Sequence, residues 1–318
     1  MYTPRQLLKG LRNPRLIKSE IHNQLDDKAW PVYNRVSRRV FGRNSPPLPD
    51  CDWDNILLLD ACRYGTFEKL SSLPGELRPR YTLGSHTGEY VRRTFKGRKC
   101  PDIVCVTANP KYYESNGGLN LDDNFHDVYH VWKDDWDEEH HTVLPDIMSE
   151  RVLEAAEEYP DKRILAHYLQ PHYPYIGDFG KSIKANVRMS DGLIEAQMEH
   201  PSLDQAMKDG VYDRESVIRA YKETLDITLS AVEKPLRELP GKTVVTSDHG
   251  EAFGRLREFG LTMHPRNRHI KSLIKVPWHV YQNGERKAII EDGVGTGGRE
   301  RISDEVVRAR LQDIGYVD

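Results

Sequence analysis

The stretch KTVVTSDHGEAFG, residues 242–254, decides the fold. Thr243, Val244, Val245 and Thr246 are β-branched and lie between Gly241 and Gly250, so the run reads as a short buried strand ending at Ser247. Asp248, His249 and Glu251 follow at once. In an open α/β sheet, ligands gather beyond the carboxyl ends of the strands. An Asp-His pair there offers a hard oxygen and an imidazole nitrogen to one divalent cation. Gly250 lets the chain turn and approach a ligand closely. Read without context, the same pair is a turn aspartate and a surface histidine.

The rest of the chain alternates strand and helix patterns around this run. Residues 54–60, DNILLLD, are apolar without alternation, as a parallel strand covered on both faces should be. They end in Asp60, a second carboxylate at a strand end, whose bland reading is a helix N-cap. Residues 77–83 can extend as a strand. A loop follows, then a helix from about Gly88 that stops at Gly97. Residues 102–108 form the next strand, ended by Asn109-Pro110, where Asn109 either makes a simple turn or lines the site mouth. Residues 128–132 read as a short strand and 144–158 as a helix. A strand from Arg163 runs into a loop rich in His, Tyr and Pro that carries His172; His167, inside the strand, reads as a satisfied core histidine. Residues 216–237 form a long amphipathic helix, and 273–280 another strand. This order predicts an α/β fold with a mainly parallel central sheet and helices on both faces.

The chain has 318 residues and a formal net charge of -3, enough length for a sizeable core and no global signal for nucleic acid. Charge is uneven, however. Arg5, Lys9, Arg12, Arg15, Lys18, Lys28, Arg35, Arg38, Arg39 and Arg43 face only Glu20, Asp26 and Asp27 in the opening segment. That segment reads as polar helix interrupted at Pro14, either solvated or docked on an anionic membrane surface or polymer. Asn44 to Pro49 form a stiff linker. The expected division is therefore a basic helical extension with its Pro-rich linker at 1–49 and one domain at 50–318. The polar stretch 177–212 is an insertion suited to a lid. No apolar run is long enough to span a bilayer, and no signal peptide is visible. Cys51, Cys62, Cys100 and Cys105 show no CxxC spacing, which fits free thiols, so the expected location is cytoplasmic or peripheral to a membrane.

SDHGE after a β-branched strand closely resembles the metal-site signature of the alkaline phosphatase/sulfatase superfamily. The segment from Asp60 to Arg63 resembles that family's first metal segment, Asp-Asp-x-Arg, with Ala61 in place of the second Asp. The resemblance runs in ordered segments from Asp52 to Asp318 and implies an alkaline-phosphatase-like fold. It implies a hydroxyl nucleophile at a helix N-terminus, where unpaired N–H groups and the dipole hold an anionic group. Thr87 fits best, since Thr87-Gly88-Glu89 resembles the Thr-Ser-Asp of lipoteichoic-acid-synthase-like enzymes; Ser85 and then Thr82 compete. The motif Cys-x-Pro/Ala-x-Arg is absent, so a formylglycine sulfatase is not expected. His172 matches the family's H-x-P-Y segment, and His264 the histidine between SDHGE and a Val-Pro strand. These two would stabilise substrate oxygens, and His264 could instead bind a second metal. Arg266, Arg268, His269 and Lys271 suit an anionic substrate.

The expected chemistry is metal-dependent hydrolysis of phosphate (or sulfate) esters through a covalent intermediate on Thr87. Asp60, Thr87, Asp248 and His249 would hold one divalent cation, zinc or manganese ahead of calcium. The alternatives are transfer of a phospho- or sulfo-linked group to a glycan or lipid, and a non-catalytic binding domain of the same fold.

Overall fold

The computed structural model describes residues 29–37, 39–40, 45–114, 119–183, 202–293 and 303–315. Seven strands form the main sheet: β1 (Asn55–Asp60), β2 (Glu76–Tyr81), β3 (Cys100–Thr107), β4 (Phe125–His130), β5 (Arg163–Pro171), β6 (Gly241–Ser247) and β7 (Lys275–Asn283). Their spatial order is β2-β7-β6-β1-β5-β3-β4. The pairs β4–β3, β3–β5, β5–β1 and β1–β6 are parallel; β7 runs antiparallel to both β6 and β2. The mainly parallel α/β sheet expected from the sequence is therefore the observed architecture. An antiparallel strand needs no crossover helix, and β7 sits beyond the run of parallel pairing.

Side-chain alternation along these strands builds two cores. Leu57, Leu59, Val104, Val106, Ile164, Ala166 and Val245 point to one face. There they meet α3 (Pro145–Glu158), α4 (Arg214–Glu238) and α5 (Asp304–Asp313) through residues such as Val152, Leu229 and Leu311. Ile56, Leu58, Ile103, Cys105, Leu165 and Val244 point to the other face, against Tyr90, Val91 and Phe95 of α2 (Thr87–Phe95). Within each strand alternate residues face opposite sides, the period-two rule, and with both faces covered β1 reads as continuously apolar. All six residues of β1 are buried. A shorter helix, α1 (Tyr64–Leu70), follows β1.

Sequence patterns and observed bounds differ mainly at ends. The short strand expected at 128–132 starts earlier, and Val131–Asp134 turn into a helical turn instead. Lys271–Ile274 likewise coil before β7 begins. Residues 1–28, most of the expected basic helices, lie outside the described residues, as do 184–201 within the expected lid. Residues 29–37 of the opening segment are helical and pack on the body. Asn34 Nδ2 donates to Asn267 O at 2.7 Å, the His269 N–H donates to Asn34 Oδ1 at 3.0 Å, and Ser37 Oγ donates to His269 O at 2.8 Å. Cys51, Cys62, Cys100 and Cys105 form no disulfide, and no described helix is long and apolar enough to cross a membrane.

The turn after β1 is the tightest element near the sheet's carboxyl edge. Ala61 adopts the left-handed region at φ 60°. Its carbonyl accepts from Tyr221 Oη at 2.8 Å, and Tyr221 Oη in turn accepts from the Arg63 N–H at 2.9 Å. Tyr221 on α4 thus satisfies both ends of a turn that the sheet cannot reach. Tyr221→Phe is expected to destabilise the protein by roughly 1–3 kcal/mol, because two backbone groups lose their partner. Urea unfolding of the variant measures this; an unchanged midpoint would show that the turn does not depend on the phenol.

Candidate active site

Four neighbouring parallel strands, β3, β5, β1 and β6, deliver polar side chains to one end of the sheet. Asp60 ends β1, Asp248 and His249 follow β6, Asn109 follows β3, and β5 carries His167 and leads into His172. Asp60, Asp248, His249 and His167 have no solvent exposure. The geometry follows from strand order, since parallel neighbours end at the same edge.

Asp60 turns its Oδ2 toward Asn109 Nδ2 at 2.8 Å and His167 Nε2 at 3.8 Å, and its Oδ1 toward His249 Nε2 at 3.4 Å. Asp248 Oδ1 is held by the N–H groups of Ala61 at 3.1 Å and His249 at 2.8 Å. Its Oδ2 lies 3.3 Å from His249 Nε2 and, although buried, has no hydrogen-bond partner. His249 Nδ1 donates to Gly250 O at 2.9 Å, which leaves the Nε2 lone pair facing the carboxylates. Asp248 Oδ2 and that lone pair are both acceptors, so the two cannot hydrogen-bond to each other, and a cation could bridge them. His167 departs from its reading as a satisfied core residue. Its Nδ1 meets Tyr112 Oη at 3.2 Å, but its buried Nε2 has no hydrogen-bond partner.

The donor set fits a metal ion. Asp60, His167 and Asp248 each offer one ligand atom, all within 4.8 Å of one another. His249 Nε2 adds a nitrogen within 3.4 Å of Asp60 and 3.3 Å of Asp248. Two carboxylate and two imidazole donors suit a borderline cation such as zinc or manganese. The electrostatics agree. Burial, and then repulsion from Asp248, push the Asp60 carboxyl well above its ordinary range, against the hydrogen bonds from Thr87 and Asn109. Burial lowers His167 to about 4 and also lowers His249, so both rings are neutral ligands at neutral pH.

Thr87 is the first residue of α2, and His86 caps that helix by accepting the Gly88 N–H on Nδ1 at 3.0 Å. Thr87 Oγ1 lies 3.0 Å from His249 Nε2 and 3.2 and 3.3 Å from the two Asp60 oxygens. The two competing hydroxyls are engaged elsewhere. Thr82 Oγ1 donates to the Asp248 carbonyl. Ser85 Oγ bonds to Glu89 Oε2, to Pro265 O and to the Arg268 N–H, each at 3.1 Å. Gly250 also differs from its reading. A Cβ there would lie 2.2 Å from Ser272 O, so its close approach is to the chain at 272–273, where its N–H meets Leu273 O at 2.7 Å.

A second histidine layer covers the first. His172 and His264 approach Nε2 to Nε2 at 3.2 Å. His172 Nδ1 donates to Tyr173 O, and His264 Nδ1 faces both oxygens of buried Glu251 at 3.2 Å. With both Nδ1 atoms so occupied, the Nε2 contact is a hydrogen bond only if the pair holds one extra proton. The His264 ring stacks near His249 with centroids 4.6 Å apart. Burial, then the His264 charge, hold both His172 and His86 well below the ordinary histidine value; Arg266 and Lys111 add to the effect at His86. A cleft of about 270 Å³ opens beside this layer, lined by His86, His172, Tyr173, His264 and Arg266. Thr87 is fully buried, and the cleft wall meets its neighbours His86 and His264. Lys111 and His167 are site neighbours that sequence patterns did not single out for the site; Lys111 is 1 % exposed.

No family model and no curated protein matches the chain. Several solved structures do. The C-terminal periplasmic domain of phosphoethanolamine transferase EptC from Campylobacter jejuni is 13% identical over 74% of this chain and 82% of its own, with a TM-score of 0.47. A protein in the alkaline phosphatase superfamily from Vibrio parahaemolyticus is 13% identical over 86% and 69%, with a TM-score of 0.39. A phosphonate monoester hydrolase from Silicibacter pomeroyi is 12% identical over 86% and 73%, with a TM-score of 0.41. These matches include the superfamily that the sequence motifs resemble.

Behind its N-terminus, Glu89 ties α2 to the 264–270 loop. It accepts from the Ser85 N–H at 2.9 Å, from His269 Nε2 at 2.9 Å and from Arg93 at 2.7 Å. Burial alone would raise its carboxyl, but the hydrogen bonds from His269 and Ser85 outweigh it and bring the value from 4.5 down to about 2. A depressed carboxylate contributes stability that is complete above its unfolded value and is lost as pH falls through the folded one. Glu89 is therefore expected to contribute on the order of 2 kcal/mol above pH about 5, lost between pH about 4.5 and 2. Glu89→Gln should flatten the acid limb of the stability profile in that window. A variant with the same acid limb as the parent would contradict this.

Proposed function

We propose that the chain is a metal-dependent phosphoesterase that works through a covalent phosphothreonine on Thr87. The observation that carries this reading is the position of Thr87 Oγ1, 3.0 Å from His249 Nε2 and 3.2 Å from Asp60, on the first residue of a helix. A hydroxyl there meets a proton acceptor on one side and the positive end of α2 on the other. Asp60, Asp248 and His249 would hold the cation together with the Thr87 oxygen, with His167 within reach. When bound, the cation lowers the hydroxyl pKa and offsets charge on the phosphoryl oxygens.

The chain's own groups account for the remaining chemistry. The phosphate ester enters the cleft with its charge facing Arg266 and the N–H groups at the start of α2. Thr87 Oγ1 bonds to phosphorus as its proton passes to the Asp60 carboxylate, whose two oxygens lie 3.2 and 3.3 Å away. The P–O bond to the leaving alcohol breaks, and the alkoxide takes the proton shared by His172 and His264. Water then cleaves the phosphothreonine by the reverse proton path. Glu251 positions His264 by accepting from its Nδ1.

Phosphate is favoured over sulfate because the formylglycine motif is missing. Transfer to an alcohol acceptor uses the same first step and differs only in what attacks the phosphothreonine. A binding domain of the same fold would keep the metal donors without turnover. Aryl phosphate monoesters and diesters, and an aryl sulfate, tested with zinc, manganese and calcium, separate these readings. Thr87→Ala is expected to lower turnover by about three orders of magnitude or more while the protein still binds metal. Acid-quenched wild type should carry phosphate on the peptide containing Thr87 by mass spectrometry. Undiminished turnover in Thr87→Ala would remove Thr87 as the nucleophile. Phosphate appearing on an added alcohol, rather than free, would assign transfer, and metal binding without turnover of any ester would assign the binding domain.

A further inference from the structure

The most exposed large apolar side chains stand together. Val32, Val36 and Val40 are 59, 57 and 62 % exposed, Leu256 is 96 % and Phe259 is 62 % exposed; no other large apolar residue among the described ones exceeds 50 %. The three valines recur every four residues and so form one lane along the helix of residues 29–37 and its continuation at 39–40. Arg35 and Arg39, both exposed, lie on the adjoining lane. The opposite flank carries Tyr33, whose ring meets Phe259 at 5.8 Å; Trp30 meets Phe259 at 5.6 Å. The helix and the 255–259 turn are therefore one continuous surface.

Its charge is of one sign. The turn lifts Leu256 into solvent between Arg255 and Arg257. From 255 to 271, Arg255, Arg257, Arg266, Arg268 and Lys271 are opposed by Glu258 alone, which is buried and already paired with Arg63 at 2.9 Å. Upstream, Arg5, Lys9, Arg12, Arg15, Lys18 and Lys28 add further positive charge. Apolar tips in a field of arginine match a layered partner, with anionic groups outside and hydrocarbon beneath. The face also adjoins the cleft. Asn34 and Ser37 hold the loop at Asn267 and His269, a few residues beyond His264, and Arg266 of the same loop lines the cleft.

We propose that this face seats the protein on an anionic lipid bilayer, with Leu256, Phe259 and the valine lane entering the interface and the arginines meeting the headgroups. The inference stands apart from the chemistry at Thr87. The test uses the full chain and co-sedimentation with phosphatidylcholine vesicles, with and without phosphatidylglycerol. Wild type should bind the anionic vesicles, lose binding as salt rises, and leave the neutral ones largely unbound. Leu256→Ser combined with Val36→Ser should lower partitioning by about tenfold, while the exposed positions leave the thermal melt unchanged. Arg35→Ala with Arg257→Ala should lower it by a similar factor on anionic vesicles. Three results would overturn the proposal: no binding to anionic vesicles; binding equal in the variants, which would put the contact in residues 1–28; or concentration-dependent self-association abolished by Leu256→Ser, which would assign the face to a second copy of the chain.

Discussion

Asp60 and Asp248 are fully buried at the ends of two adjacent strands, and their ion-pair neighbours are the imidazoles of His167 and His249. Burial holds both rings neutral, so they offset none of the carboxylate charge. Two carboxyl groups buried side by side are costly to ionise together, which is why burial and Asp248 push Asp60 well above its ordinary range. Asp60, His167, Asp248 and His249 would hold a divalent cation, whose charge would offset that repulsion. The orphaned Asp248 Oδ2 and His167 Nε2 are the visible remainder of this arrangement.

The surrounding backbone is arranged to hold the carboxylates in place. Asp248 Oδ1 accepts from Ala61 and His249 N–H groups, and the Cys62 N–H donates to Ser247 Oγ at 2.9 Å. The loops after β1 and β6 are thus tied across the two strands that pair from Asn55↔Thr243 to Leu59↔Ser247. Ala61, where the related motif has a second Asp, contributes its N–H instead of a side chain. The departure removes one donor, and the buried His167 stands close enough to Asp60 to supply another.

Around this centre lies a layer that is polar but closed by its own contacts. Glu251, His264 and His172 form a chain of close polar contacts, and the His264 ring lies tilted against His249. Glu89, Ser85 and His269 fasten the start of α2 to the loop that carries His264. The helix of residues 29–37 in turn fastens that loop through Asn34 and Ser37. Residues 29–37, which read in sequence as part of a separate extension, thereby brace the loop whose Arg266 lines the cleft.

The sequence alone determined what depends on near neighbours in the chain. The β-branched run before Asp248, the apolar run before Asp60 and the Thr-Gly-Glu start of α2 each place a functional group at an element's end, because backbone propensity and burial act over a few residues. Only the tertiary structure decided among groups with equal local claims. Thr82, Ser85 and Thr87 are all loop or helix-start hydroxyls; the fold ties the first to the Asp248 carbonyl, the second to Glu89, Pro265 and Arg268, and brings the third to Asp60 and His249. His167 reads as core in any strand pattern, and its unpartnered Nε2 exists because β5 lies next to β1. The difference is physical: propensity is set by covalent neighbours, whereas hydrogen-bond partners more than a hundred residues away are set by strand order and packing.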